Sequence, residues 1–177
     1  DMDAQKSLED SVNKNMNGSD LQAAGLMVDP KTGNIIALIG GTSYAKSQYN
    51  RVISSQRQVG STMKPLLYYA ALENGMTAAS TFLSQETTFV FANNQNYAPQ
   101  NYNQKYGNKD ITMAAAISYS DNIYAVKTHL FLGEETLVDV AKRMGIQKEL
   151  QPIPSLPLGT NEMTMVDFAN AYTTLAS

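Results

Sequence analysis

The chain has 177 residues, 43% hydrophobic and 16% charged, a balance that suits one folded domain with a core. Its net charge of −3 lacks the basic footprint of nucleic-acid binding, so no nucleic-acid partner is expected. With no cysteine, disulfides, thiol catalysis and cysteine-ligated metals are excluded; with His129 as the single histidine, so is a multi-histidine zinc site, and no cofactor is expected.

In chain order, Ala4, Leu8, Val12 and Met16 recur every fourth residue and predict a helix over Asp3 to Met16 with Asp3 as its cap. Two β-like runs follow, Leu21 to Val28 and Asn34 to Gly40. They flank the turn signal Asp29-Pro30-Lys31-Thr32-Gly33, and their apolar residues suit a hairpin buried on both faces. The run Leu66 to Leu72 predicts a helix that stops at Asn74-Gly75. From Met76 to Asp110 the composition turns to Asn, Gln, Thr and Tyr, with one strand-like piece at Thr88 to Phe91; such a long polar loop reads as functional wall. Helical patterns resume over Thr112 to Ile117, Asn122 to Leu132 and Glu134 to Met144, and again from Thr164 to Ala176 after three prolines. His129 is expected on a partly exposed helix, with nothing around it to mark a catalytic imidazole. No apolar run reaches the length of a membrane span or a signal-peptide core, so any membrane anchor would lie outside these residues.

A serine and a lysine three apart share one helix face, and a desolvated lysine is able to take the proton of a serine nucleophile. Three such pairs occur: Ser11 with Lys14, Ser43 with Lys46, and Ser61 with Lys64. The first sits in a polar helix and the second in a polar stretch; only Ser61 has a glycine before it and an apolar helix behind it. Pro65 offers no N–H and clashes with the carbonyl four residues earlier, that of Ser61, so Ser61 belongs at the helix edge. There the free N–H groups and the positive end of the helix suit a developing oxyanion. On these residues alone, Ser61 reads either as a nucleophile or as an N-cap. Ser118-Tyr119-Ser120-Asp121-Asn122 carries the same ambiguity. It either caps the following helix or projects Ser120 and Asn122 into a cleft, the first to relay a proton and the second to hold a substrate amide and the lysine.

Gly60-Ser61-Thr62-Met63-Lys64-Pro65 followed by Ser120-Asp121-Asn122 resembles the transpeptidase domain of class A penicillin-binding proteins. Asp29 to Ala37 with Gly40-Gly41 is similar to that family's opening hairpin, and Pro99-Gln100-Asn101-Tyr102-Asn103 with Ile111-Thr112 to the segment before the second motif. Leu158-Gly159-Thr160, Glu162 and Phe168-Ala169-Asn170-Ala171-Tyr172 resemble the stretch after it. The resemblance implies an α/β (α+β) fold, an antiparallel sheet flanked by helices, with the cleft between the sheet and a helical lobe. It implies Ser61 as the acylated nucleophile, Lys64 as its base, Ser120 as proton relay and Asn122 as substrate positioner. The implied reaction is peptidoglycan DD-transpeptidation, with D-Ala-D-Ala stem peptides as substrates and β-lactams as acylating inhibitors. The implied place is the extracytoplasmic face of the bacterial cell membrane.

The family's third motif, Lys-Thr-Gly, belongs on a strand after the other two. Lys31-Thr32-Gly33 precedes Ser61 and lies in a turn signal, so it is read as a turn. The resemblance thus implies that residues 1–177 are the N-terminal portion of a single transpeptidase domain, incomplete at the C-terminus. The remainder of that domain would supply the third motif, and an upstream glycosyltransferase domain the membrane anchor. The missing strand would carry an oxyanion donor, so these residues alone are expected to acylate slowly or not at all. Serine β-lactamases are the nearest competing enzymes, but neither Glu149 nor Glu162 opens their Glu-x-x-Leu-Asn signature. A β-lactam sensor would use the same acylation with no transfer, and a noncatalytic fragment is the third alternative.

Overall fold

A computed structural model describes residues 1–92 and 95–177; two residues of the polar loop, Asn93 and Asn94, lie outside the described residues. In chain order the elements are α1 (Met2–Met16), β1 (Gly25–Val28), β2 (Ile35–Ile39), α2 (Arg51–Ser54), β3 (Arg57–Gln58), α3 (Lys64–Glu73) and β4 (Thr81–Ser84). There follow β5 (Phe89–Val90), β6 (Asn96–Tyr97), β7 (Lys109–Thr112), α4 (Met113–Tyr119), α5 (Asn122–Leu132), α6 (Glu134–Arg143), β8 (Glu162–Met163) and α7 (Met165–Ala176). Short 3-10 turns occupy Gly60–Met63, Tyr102–Gln104 and Leu156–Leu158. The class is mixed α and β, as the resemblance implied. The chain divides into two compact units, one of residues 1–57, 144–148 and 162–177, the other of residues 58–143 and 149–161.

In the first unit β1 and β2 form an antiparallel hairpin, Gly25 opposite Ile39 and Leu26 opposite Leu38. Helix α1 lies against β2, where the Gln5 amide exchanges hydrogen bonds with the Leu38 backbone at 2.8 and 2.9 Å. The cap of α1 is Asp1 and not Asp3: its carboxylate accepts from the Asp3 and Ala4 N–H groups, the orphan donors of a first turn. The hairpin is not buried on both faces. Ala37 is its one buried residue, while Met27 and Ile35 are exposed, because a two-stranded ribbon has little to cover it. Lys31-Thr32-Gly33 is indeed a turn, tied by the Thr32 hydroxyl and the Lys31 N–H to the Asp29 carboxylate.

The second unit is built on α5. Its sequence Asn122-Ile-Tyr-Ala-Val-Lys-Thr-His-Leu-Phe-Leu132 is apolar almost all round, the pattern of a helix enclosed by neighbours. Ile123, Tyr124, Ala125 and Val126 are all fully buried, packed with Leu66 and Leu67 of α3 and Leu137 of α6 in the core. Tyr124 anchors the centre. Its ring lies 6.2 Å from Tyr68 and 5.2 Å from Phe82, and its hydroxyl donates to the Ser80 carbonyl at 2.7 Å. The polar stretch before α4 contains more strand than its composition suggests. Strands β4 and β7 pair antiparallel, Thr81 opposite Thr112, and β5 pairs with β6. Among the described residues no helix is long and apolar enough to cross a membrane.

His129 is fully buried, not partly exposed, because in the last turn of α5 it faces the segment after α6. Its Nε2 pairs with the Ile153 carbonyl at 3.1 Å, while its buried Nδ1 has no partner. The carbonyl partner makes Nε2–H the donor, and burial of the unpartnered Nδ1 disfavours a second proton on the ring. Burial holds the imidazole below its ordinary 6.5. The unfolded chain therefore binds this proton more readily, and stability, complete above about 6.5, falls as pH drops from there toward the lowered folded value. Urea unfolding of the wild type should show that loss, and His129→Gln should flatten the curve over the same window. A variant with the same slope as the wild type would remove His129 as its cause.

Candidate active site

Ser61 is placed by two backbone features. It sits in the 3-10 turn Gly60–Met63, which runs directly into α3 with Pro65 in the first turn. The Ser61 carbonyl accepts from the Lys64 N–H, three residues on, in the tight turn that Pro65 requires because it has no N–H to offer. Val59 occupies the N-cap position of the turn and Met63 that of α3, neither with a side-chain cap. The serine hydroxyl caps nothing. It is exposed at the positive end of α3.

A second backbone pair fixes the entry to that turn. The Gly60 N–H donates to the Gly159 carbonyl at 3.0 Å, and both glycines have positive φ, +59° and +66°. A β-carbon on Gly159 would fall 2.1 Å from the Gly60 carbonyl oxygen, so only glycine fits. The Leu158-Gly159-Thr160 stretch thus has a steric reason to be what it is.

Lys64 is 3% exposed, and its ammonium has three acceptors. Nζ donates to the Ser120 carbonyl at 2.6 Å, to the Ser120 hydroxyl at 2.9 Å and to Asn122 Oδ1 at 2.6 Å. All three acceptors come from the short connection between α4 and α5. Burial pulls Lys64 down from 10.5 to about 8, against the attraction of Asp121, which acts to raise it. A lysine in that range holds a proton at neutral pH and gives it up readily just above.

The connection is shaped to make those contacts. Ser120 ends α4 in a left-handed conformation, φ 54° and ψ 44°, which non-glycine residues seldom adopt. Asp121 is the N-cap of α5, its Oδ1 accepting from the Tyr124 N–H at 2.7 Å. Cap and lysine contact therefore share one turn: Asp121 caps, while Ser120 and Asn122 reach Lys64. The Asn122 amide is oriented by its other end, since Nδ2 donates to the Gln100 carbonyl at 2.7 Å and leaves Oδ1 facing Lys64.

Behind the turn lies a buried polar network that no sequence motif announced. Asp121 Oδ2 accepts from the Ser84 hydroxyl at 2.5 Å and from Asn101 Nδ2 at 2.7 Å, and Ser84 Oγ accepts from the Gly107 N–H at 3.1 Å. Asn101 Oδ1 accepts from the Asn122 N–H at 2.7 Å. The structure thus brings Lys64, Ser120 and Asn122 into direct contact and sets Ser61 one 3-10 turn before Lys64. Among the described residues no group of acidic and histidine side chains forms a metal site. The pair Ser11 and Lys14 lies on exposed α1, and Ser43 and Lys46 in a loop, as their contexts implied.

Known proteins resemble this chain in both sequence and fold. The sequence profile described as the penicillin binding protein transpeptidase domain matches residues 23–177. Penicillin-binding protein 2D of Bacillus subtilis is 47% identical over 175 residues, 98% of this chain and 25% of that protein. Penicillin-binding protein 1A of Aquifex aeolicus is 39% identical over 89% of this chain and 22% of its own. The crystal structure of penicillin-binding protein 1A from Haemophilus influenzae superposes with a TM-score of 0.80 at 28% identity, covering 86% of this chain and 23% of that one. The chain thus spans about a quarter of the length of these relatives. It belongs to the penicillin-binding protein transpeptidase family.

The Gly159–Gly60 contact carries a direct prediction. Gly159→Ala adds left-handed strain of about 1–2 kcal/mol and a backbone overlap of about 1–3 kcal/mol. Urea unfolding should read a loss of about 3 kcal/mol, the sum of the two. Thr160→Ser, one residue on, exposed and keeping the hydroxyl that meets Ser155, should stay within about 0.5 kcal/mol. Equal effects of the two would show that the close approach is not what restricts this site.

Proposed function

We propose that the chain is the N-terminal portion of a peptidoglycan DD-transpeptidase domain, acting through an acyl-enzyme on Ser61. The observation that carries this reading is the buried Lys64, shared between Ser120 and Asn122 and one turn from an exposed serine. Family membership supports it. Neutral Lys64 takes the Ser61 hydroxyl proton as Oγ attacks the carbonyl carbon of the penultimate D-alanine in a stem peptide. The tetrahedral carbon collapses, the peptide C–N bond breaks, and the Ser120 hydroxyl delivers the proton from Lys64 to the departing D-alanine nitrogen. An amine of a neighbouring strand then attacks the ester carbonyl, loses its proton through the same relay, and regenerates Ser61. Asn122, oriented by the Gln100 carbonyl, holds Lys64 on one side and would meet the substrate amide as Lys64 moves away.

In this reading β-lactams acylate Ser61 as strained analogues of the same peptide bond. Its whole protein works at the extracytoplasmic face of the membrane. The remainder of the domain, a glycosyltransferase domain and a membrane anchor are supplied by the rest of the parent protein.

In the full-length parent, a fluorescent penicillin should label the protein once, at Ser61, and Ser61→Ala should abolish the label. Labelling elsewhere, with Ser61→Ala unaffected, would overturn the assignment. Because the base must be unprotonated, the acylation rate should rise with pH through a midpoint near the Lys64 value of about 8. Lys64→Arg, which keeps the charge but does not deprotonate, should cost about 10²–10⁴-fold. A flat stopped-flow pH profile between 6 and 9 would exclude Lys64 as the base.

A further inference from the structure

Asn101 touches neither Ser61 nor Lys64 in the hydrogen bonds it makes, yet every side-chain acceptor of Lys64 depends on the turn it holds. It is 8% exposed and uses both ends of its amide. Oδ1 accepts from the Asn122 N–H at 2.7 Å and, more distantly, from the Ile123 N–H at 3.4 Å, two of the orphan donors that begin α5. Nδ2 donates to the Asp121 carboxylate at 2.7 Å and to the Lys105 carbonyl at 3.0 Å. One side chain therefore clamps the N-cap residue and the first helical residue to the loop 100–105.

The preceding residue completes the clamp, since the Gln100 carbonyl accepts from Asn122 Nδ2 and so points Asn122 Oδ1 at Lys64. Asp121 and Asn122 follow directly on Ser120, whose left-handed backbone presents both its carbonyl and its hydroxyl to the same ammonium. A residue in that conformation holds it only when its surroundings over-determine it. Asn101 supplies that determination from one side and Ser84, through Asp121, from the other.

We infer that Asn101 is a positioning residue for acylation, fixing Ser120 and Asn122 against Lys64 through its hydrogen bonds to Asp121 and the Asn122 N–H. The inference rests on the acylation of Ser61 proposed above. Without the Asn101 amide the Asn122 N–H and Asp121 Oδ2 each lose a partner, and the turn is free to shift by the fraction of an ångström that separates a productive relay from a slack one. Precovalent binding is touched less, because Ser61 and its turn are held separately by Gly159 and Asn122 meets the substrate amide only as Lys64 moves away.

The test is stopped-flow acylation of the full-length parent by penicillin, separating precovalent affinity from the acylation rate constant. Asn101→Ala should lower the rate constant about 100-fold. Its precovalent dissociation constant should change less than about threefold, since binding energy common to ground and transition states is left in place. Asn101→Asp keeps the size and the acceptor but turns a carboxylate oxygen on Asp121, and should be at least as slow. Combining Asn101→Asp with Asp121→Asn exchanges donor and acceptor across the same contact and should recover about tenfold of the loss. If Asn101→Ala does not fold, Asn101→Asp and its paired rescue carry the same measurement. An Asn101→Ala protein that acylates within about threefold of wild type overturns the inference. So does a loss that falls on precovalent affinity, or a paired variant with no recovery. A wild-type parent that takes no label at Ser61 overturns instead the acylation reading, and this inference with it.

Discussion

The ammonium of Lys64 is the group around which the second unit is arranged. Nearly all of its surface is removed from water, and a buried charge without partners would be several kcal/mol too costly to keep. The fold answers with three acceptors within 2.9 Å, all from Ser120 and Asn122. Those residues must then sit where the lysine ends, which fixes the approach of α5 to α3. The apolar core beneath, from Leu66 and Leu67 to Ile123 and Val126, brings the two helices together but does not choose their register at the site. The polar contact supplies that choice, in the way a buried polar group specifies one packing among several similar ones.

Two opposing influences set the lysine for chemistry. Burial disfavours the cation, while its acceptors and the carboxylate of Asp121 favour it; burial prevails and leaves the group near 8. That balance is sensitive to placement. The carboxylate is engaged by Ser84, Asn101 and the Tyr124 N–H, so its charge is shared with donors that hold it at the base of the turn. Asp121 thereby caps α5 and tempers the lysine without a direct hydrogen bond to it. One residue serves stability and reactivity together, and the Ser84–Asp121–Asn101 network is the structural means.

The sequence made some of this legible and concealed the rest, for identifiable reasons. Ser61 and Lys64 could be read because Pro65 converts a common spacing into a geometric statement about a helix edge. Ser120 and Asn122 could be read only as the second member of an ordered pair, since short polar residues before a helix are equally good caps, and Asp121 is one. Helix α6 was visible in its amphipathic period, and α5 in a long run that is apolar almost all round. Strands β4 and β7 were not: burial alternates along β4, but the outward Leu83 is apolar and the inward Ser84 polar, so the residue types do not follow it. Ser84 carried no signal, and Asn101 and Gly159 were marked only as members of family-like segments, with no role attached. Their roles depend on contacts across 20 to 99 residues of chain, Asn101 with Asp121 and Gly60 with Gly159. Such contacts have no period to betray them. His129 misled for the opposite reason: beside Lys127 and Thr128 it looks like surface, yet Lys127 reaches out to the Leu83 carbonyl while Thr128 and His129 turn inward.

The residues that matter most for the proposed chemistry are also those least favourable to the fold. Ser120 is held left-handed, Gly60 and Gly159 occupy positive φ, at Gly159 against a backbone approach that excludes any side chain, and Lys64 is a buried cation. Each would be cheaper as something else: glycine at 120, a looser turn at 60, an apolar residue at 64. None of these replacements would keep a hydroxyl, a base and an amide in mutual contact. Local consistency is abandoned around Lys64, where the acyl-transfer machinery is proposed, and is restored immediately beside it, in the caps of α4 and α5 and the aromatic cluster at Tyr124. Ser120 is the strained residue that touches Lys64, and the network behind it meets that cost, which fits the role proposed for it.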